Sequence, residues 1–232
     1  MDQNLYPLLK NYKFICIGEM HGTKEPAEFL STLVKLFVSN NKKVIVGMEI
    51  PDSLMGSFRQ QPDSAGLLKT EFFSRKSDYG LESSAWFHAI VSCNQFGVTF
   101  CFFDNGNTDR DLGMHEKLAD CSMNDSTAIV VTLTGNVHNK LLPYKNNNTM
   151  GCYLKERFGE KVFSVNHIYN GGTMYNRTSE GLALRTIPPS NNAFATATTF
   201  EKYFIRNIFS DTDGYSAYYY TNHVTASFPK TK

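Results

Sequence analysis

Gly18-Glu19-Met20-His21-Gly22 follows directly on the apolar run Phe14-Ile15-Cys16-Ile17. A buried strand thus runs into a carboxylate and an imidazole two residues apart. Strand side chains repeat with a period of two, so Glu19 and His21 point to the same side. A carboxylate there orients the ring and favours its charged form, which suits a general base near neutral pH. Two further segments repeat the pattern. Val44-Ile45-Val46-Gly47-Met48 ends in Glu49, and Ile129-Val130-Val131-Thr132-Leu133 leads into Thr134-Gly135-Asn136-Val137-His138. Three strand ends therefore supply two carboxylates and two imidazoles, a set able to take up and hand on protons. Arg110-Asp111 opens a helix after another strand. An arginine there opposes the helix macrodipole, which points to an anionic partner. Asp104, at the end of that strand, is a weaker candidate from position alone.

Other chemistries lack their signatures. No G-x-S-x-G, Walker loop or G-x-G-x-x-G occurs, and no H-E-x-x-H or C-x-x-C spacing offers a zinc site. A metal-independent site is expected. His88, beside Trp86, reads as packing or surface. His115 reads as solvated on the exposed side of its helix, and His167 as a core histidine. The Tyr218-Tyr219-Tyr220 run reads as core and rim.

The elements that must position these residues alternate. Helices are expected over Glu25 to Val38, Ala85 to Gln95, Asp109 to Cys121 and Thr149 to Phe158. Strands are expected over Lys43 to Met48, Val98 to Phe103, Thr127 to Leu133 and Lys161 to Tyr169. The polar stretch from Pro51 to Asp78 should hold short helices over the site. Gly171-Gly172 marks a turn, Leu182 to Ile187 a strand, Pro188 to Asn192 a loop and Phe200 to Ile208 a short helix. Tyr215 to Tyr220 reads as a closing strand. The order predicts an α/β fold: a mainly parallel, doubly wound sheet flanked by helices, with a short helical insertion and antiparallel C-terminal strands. Sites in such sheets form outside the carboxyl ends of the strands.

Composition sets the outer bounds. The 232 residues suit one large domain, or one domain with a small addition, and 41% hydrophobic content argues against disorder. A net charge of +1 gives no electrostatic basis for binding nucleic acid or an anionic membrane. No apolar run reaches the roughly 20 residues of a membrane span. No signal peptide is evident, so a cytoplasmic location is expected. The five cysteines are odd in number and read as reduced, buried thiols.

Taken in order, Gly18-Glu19-x-His21-Gly22-Thr23-x-Glu25, Met48-Glu49, Arg110-Asp111-x-x-Met114 and Gly135-Asn136-x-His138 resemble the erythromycin esterase-like and ChaN-like superfamily. That group includes Tiki/TraB-type proteins and toxin domains that cleave Ras-type GTPases. The segment from Asp213 to Tyr220, followed by Val224-Thr225-Ala226-Ser227-Phe228-Pro229, is similar to the terminal strand of esterase-like members. The resemblance implies one domain over 1–232 and a site built from Glu19, His21, Glu49, Arg110 and His138. It implies hydrolysis of an ester or amide in a small-molecule or peptide substrate. Its alternatives are a haem or small-ligand binding protein without turnover, and a toxin-like peptidase acting on small GTPases. No cofactor is expected; haem, through the resemblance, and a divalent metal on the His and Glu residues are the alternatives. Either histidine can be the base at this point, the other serving the oxyanion.

Overall fold

The computed structural model describes residues 5–75, 80–106, 108–189, 213–230 and the backbone of 202–206. In chain order the elements are α1 (Leu5–Leu9), β1 (Phe14–Glu19), α2 (Glu25–Ser39), β2 (Val44–Pro51), α3 (Gly56–Gln60), α4 (Ser64–Leu68), α5 (Glu71–Ser74), α6 (Ser84–Asn94), β3 (Thr99–Asp104), α7 (Arg110–Met123), β4 (Ile129–Gly135), α8 (Met150–Phe158), β5 (Val162–Thr178), β6 (Gly181–Ile187), β7 (Lys202–Arg206) and β8 (Ala217–Val224). The strands form one sheet in the order β3-β2-β4-β1-β5-β8-β7, with β6 paired to β5. The six strands from β3 to β8 in that order run parallel; β6 and β7 are antiparallel.

Burial on both faces explains the continuous apolar strands. All six residues of β1 are buried, as expected of a parallel sheet covered by helices. Ile15 and Ile17 of β1 face a core with α2 and α6, while Phe14 and Cys16 face a second core with α7 and α8. In α2, Leu30, Leu33, Val34 and Phe37 are fully buried. Each such side chain contributes about 1.5–3 kcal/mol, so this face holds the helix. Ser83, Asp109 and Thr149 accept backbone N–H bonds at the starts of α6, α7 and α8, which satisfies donors the helices leave unpaired.

The helix placement locates the crevice. From β1 the chain crosses to β2 through α2 on one face. From β4 it crosses to β5 through α8 on the other, in the opposite direction along the sheet. Because β1 and β4 are adjacent, the order reverses between them, opening a crevice at their carboxyl ends. Glu19 pairs with Gly135 at that point.

Several expectations are corrected. Cys101 and Cys121 form a disulfide, leaving Cys16, Cys93 and Cys152 free; β3 and α7 pack together and bring the two thiols into contact. Gly171-Gly172 is not a turn but lies inside the 17-residue β5. There the backbone of Val224 passes so close that a Cβ on Gly172 would collide with it. The helix expected over Phe200 to Ile208 is strand β7 where it is described; 200, 201, 207 and 208 lie outside the described residues, as do 190–192 of the expected loop. The strand expected over Tyr215 to Tyr220 is β8, parallel to β5 and antiparallel to β7. His115 is buried, not solvated, because α8 covers its side of α7. His88 is exposed. His167 is buried, and its Nε2 lies 2.8 Å from Thr221 Oγ1. Among the described residues no helix is long and apolar enough to cross a membrane.

Candidate active site

One carboxylate reaches the crevice from each face of the sheet. Glu19 continues the parity of Ile15 and Ile17 toward α6. Its Oε1 accepts the indole N–H of Trp86 at 2.9 Å and lies 2.8 Å from His21 Nδ1. Glu49 continues the parity of Ile45 toward α7. Its Oε2 accepts Thr134 Oγ1–H at 2.7 Å and Gly135 N–H at 2.6 Å, and its Oε1 accepts Arg110 Nη2–H at 2.6 Å. Both carboxylates are buried, 1% exposed as residues. The loop after β1 is fastened by Gly22, whose carbonyl accepts N–H bonds from Tyr175 at 3.0 Å and Ser227 at 2.8 Å.

Arg110 and Asp111, the first two residues of α7, complete the cluster. Arg110 grips Asp104 through Nε and Nη2 at 2.9 and 2.8 Å, a bidentate fork suited to a carboxylate. Its Nη1 lies 3.5 Å from His138 Nε2. Asp111 Oδ1 lies 2.8 Å from His138 Nδ1 and accepts Met150 N–H at 2.7 Å. Each imidazole is thus held at Nδ1 by its own carboxylate. Each presents Nε2 to Glu49, at 3.9 Å from Oε2 for His21 and 3.8 Å from Oε1 for His138. Gly135 lies between them. A Cβ there would be 3.1 Å from His21 Nε2 and 3.5 Å from His138 Cδ2, so a side chain would crowd both rings.

The electrostatics follow from these contacts. Burial opposes ionisation of Glu49, but His21, His138, Arg110 and the Gly135 N–H outweigh it and hold the pKa down to about 2. Burial pushes the Glu19 carboxyl up, against hydrogen bonds from His21 and Trp86. Burial alone would lower His21, yet Glu19 and Glu49 reverse the balance and its pKa is raised. Asp104 and Glu49 drive the Arg110 pKa still higher, against burial, so that side chain stays cationic. His21 is an imidazole poised to take up a proton.

The contacts also determine what can bind. Three N–H or O–H donors already occupy Glu49, which leaves it poorly placed as a metal ligand. Among the described residues no group of three His, Cys, Asp or Glu is arranged to hold a metal ion.

Solved structures with this architecture provide a comparison. A Bacillus cereus protein superposes with a TM-score of 0.69 at 10% identity, over 99% of this chain and 93% of that chain. A succinoglycan biosynthesis protein gives 0.68 at 12% identity, over 98% and 92%. An erythromycin esterase mutant in its open conformation gives 0.57 at 10% identity, over 98% and 94%. This chain shares its fold with these proteins. No family model matches the sequence, and no curated protein matches it.

The five candidate residues, Glu19, His21, Glu49, Arg110 and His138, meet in one cluster at the carboxyl ends of the strands. Asp104 joins them through Arg110. Three contributors were not singled out by role. Asp111 sits in the Arg110-Asp111 pair but reads as an ordinary acid at a helix start. Trp86 lies 67 residues from Glu19, and Thr134 reads as a plain strand residue. The only sequence signal for Asp111 is its adjacency to Arg110.

Proposed function

We propose that this cleft hydrolyses an ester or amide bond without a metal, in a small-molecule or peptide substrate. The observation that carries the reading is the unequal setting of the two imidazoles. His21 donates Nδ1–H to Glu19, so its Nε2 carries a lone pair, 3.9 Å from Glu49 Oε2 and with no hydrogen-bond donor on it among the described residues. His138 donates Nδ1–H to Asp111, and its Nε2 faces the Arg110 guanidinium. His21 is therefore the base, and His138 orients Arg110 Nη1 through its Nε2.

The steps follow from those roles. His21 Nε2 takes a proton from water as the oxygen attacks the substrate carbonyl carbon. The imidazolium that forms is stabilised by the charges of Glu19 and Glu49. Negative charge develops on the carbonyl oxygen. Arg110 Nη1, the guanidinium nitrogen not bound to a carboxylate, donates to it. His21 then returns the proton to the departing oxygen or nitrogen. Glu49 does not exchange protons: a carboxyl with a pKa near 2 stays ionised and acts as a fixed charge.

The fold is shared with an erythromycin esterase, which supports hydrolysis without naming the substrate. A panel of aryl esters, lactones and peptides, assayed with wild type and His21→Ala in metal-free buffer, tests the reading. Turnover by wild type that is lost in the variant is expected. No turnover on any class, or turnover that survives His21→Ala, would overturn it.

A further inference from the structure

The disulfide and the cleft share a helix. Cys101 lies within β3, and Cys121 lies near the end of α7. The chain between them carries Asp104, Arg110 and Asp111. Arg110 and Cys121 are 11 residues apart on α7, about 16 Å along the axis at 1.5 Å per residue. One end of α7 is held by the Arg110 and Asp111 contacts in the cleft. The other end is tied covalently to β3.

Two observations make that tie consequential. First, β3 is the edge of the sheet and pairs with β2 alone among the described strands, so the β3–α7 unit is peripheral. Second, the seam between α7 and α8 contains a polar flaw. His115 is buried there against Tyr153, ring centroids 5.7 Å apart, and neither ring nitrogen has a hydrogen-bond partner among the described residues. An unsatisfied buried polar group weakens packing. The cross-link therefore adds a covalent hold to a helix whose seam with α8 carries this unpaired ring. Both sulfur residues also line a cavity of about 820 Å³, together with Lys42, Lys117 and Phe100. That cavity is lined also by Val44, Val98 and Ala128, so it lies at the amino ends of the strands, the end of the sheet away from the cleft.

We propose that Cys101–Cys121 is a thiol–disulfide exchange site, opened by an external dithiol, that sets the position of α7 and so the geometry of the cleft. The thiolate of the dithiol attacks Cys121 Sγ, the less buried partner, forming a mixed disulfide and releasing Cys101 as a thiolate that takes a proton. The second thiol of the reagent then attacks the mixed disulfide. It leaves as a cyclic disulfide, and Cys121 is released as a thiol. Two electrons and two protons pass from the dithiol to the protein. Freed at its far end, α7 tilts and slides against the sheet, and this carries Arg110 and Asp111 off their positions.

The test uses the full chain and dithiothreitol. The consequence for turnover rests on the hydrolytic reading; the consequence for the cleft does not, so imidazole NMR signals of His21 and His138 are followed alongside any activity. Dithiothreitol should raise the thiol count by two in the folded protein and shift the His138 signals. It should also lower turnover about tenfold or more, the scale of a misplaced catalytic group. Cys121→Ser, with Cys101→Ser as a second variant should the first misfold, should give the reduced signals and no longer respond to dithiol. If two thiols appear while the His138 signals stay fixed, or if the bond resists dithiothreitol in the folded chain, the proposal is wrong. Should no substrate be found, the NMR signals alone decide it.

Discussion

His21 and His138 face different oxygens of one carboxylate: Nε2 of the first lies 3.9 Å from Glu49 Oε2 and Nε2 of the second 3.8 Å from Glu49 Oε1. Glu49 is in turn fixed by Thr134, Gly135 and Arg110. A single buried charge thereby sets the electrostatics of both rings.

That charge has a pH signature. Glu49 has its folded pKa depressed from 4.5 to about 2. Its contribution is present above pH 4.5 and is lost as pH falls through the window toward 2. At 1.36 kcal/mol per pKa unit the shift corresponds to about 3 kcal/mol. Urea unfolding of wild type and Glu49→Gln from pH 6 to pH 2 measures it. The stability advantage of wild type should shrink across that window. A constant difference would show that Glu49 is not ionised in the fold as described.

The Glu19 contact predicts a shift in the rate profile. Burial lowers the His21 pKa, but Glu19 and Glu49 raise it above 6.5 overall. The base must be neutral to act, so turnover should rise with pH through a midpoint above 6.5. Glu19→Gln removes one raising charge, so that midpoint should move to lower pH while the plateau falls. A midpoint unmoved by Glu19→Gln would separate this limb from His21.

Asp111 should act on His138 through orientation. Asp111→Asn keeps the size of the side chain but can present an N–H where the ring donates. The imidazole tautomer of His138, read by nitrogen NMR, should become mixed, and turnover should fall on the order of 10–100-fold. Melting temperature separates this from the loss of the Met150 N–H bond. An unchanged tautomer would reduce Asp111 to a helix-start contact.

The part of this arrangement legible in the sequence is the part carried by periodicity. Apolar runs ending in Glu19, Glu49 and Gly135 gave parallel strands and their carboxyl ends, and the two-residue spacing placed Glu19 beside His21. The unusual Arg110 at a helix start pointed to an anion, and it binds two. What periodicity misses comes from contacts made only after the chain folds. Trp86 reaches Glu19 from across a helix layer. His115 looks exposed on an isolated helix, and α8 then covers it. Cys101 and Cys121 sit 20 residues apart with no local motif to pair them. Gly172 looks like a turn because glycine usually is one, whereas here it lets the backbone of Val224 pass.

The central claim is that His21 is the base of a hydrolytic cleft, and turnover by folded His21→Ala tests it most directly. His21 sits at the rim of the sheet, with its side chain 26% exposed, so truncation should leave little cavity and an unchanged melting temperature. Turnover on any substrate found should fall by about 100-fold or more, as when a general base is removed. His138→Ala should be comparably severe, and the double variant should lose far less than the product of the two. His88→Ala, on an exposed helix face, should be near wild type. A folded His21→Ala protein with wild-type turnover would contradict the account.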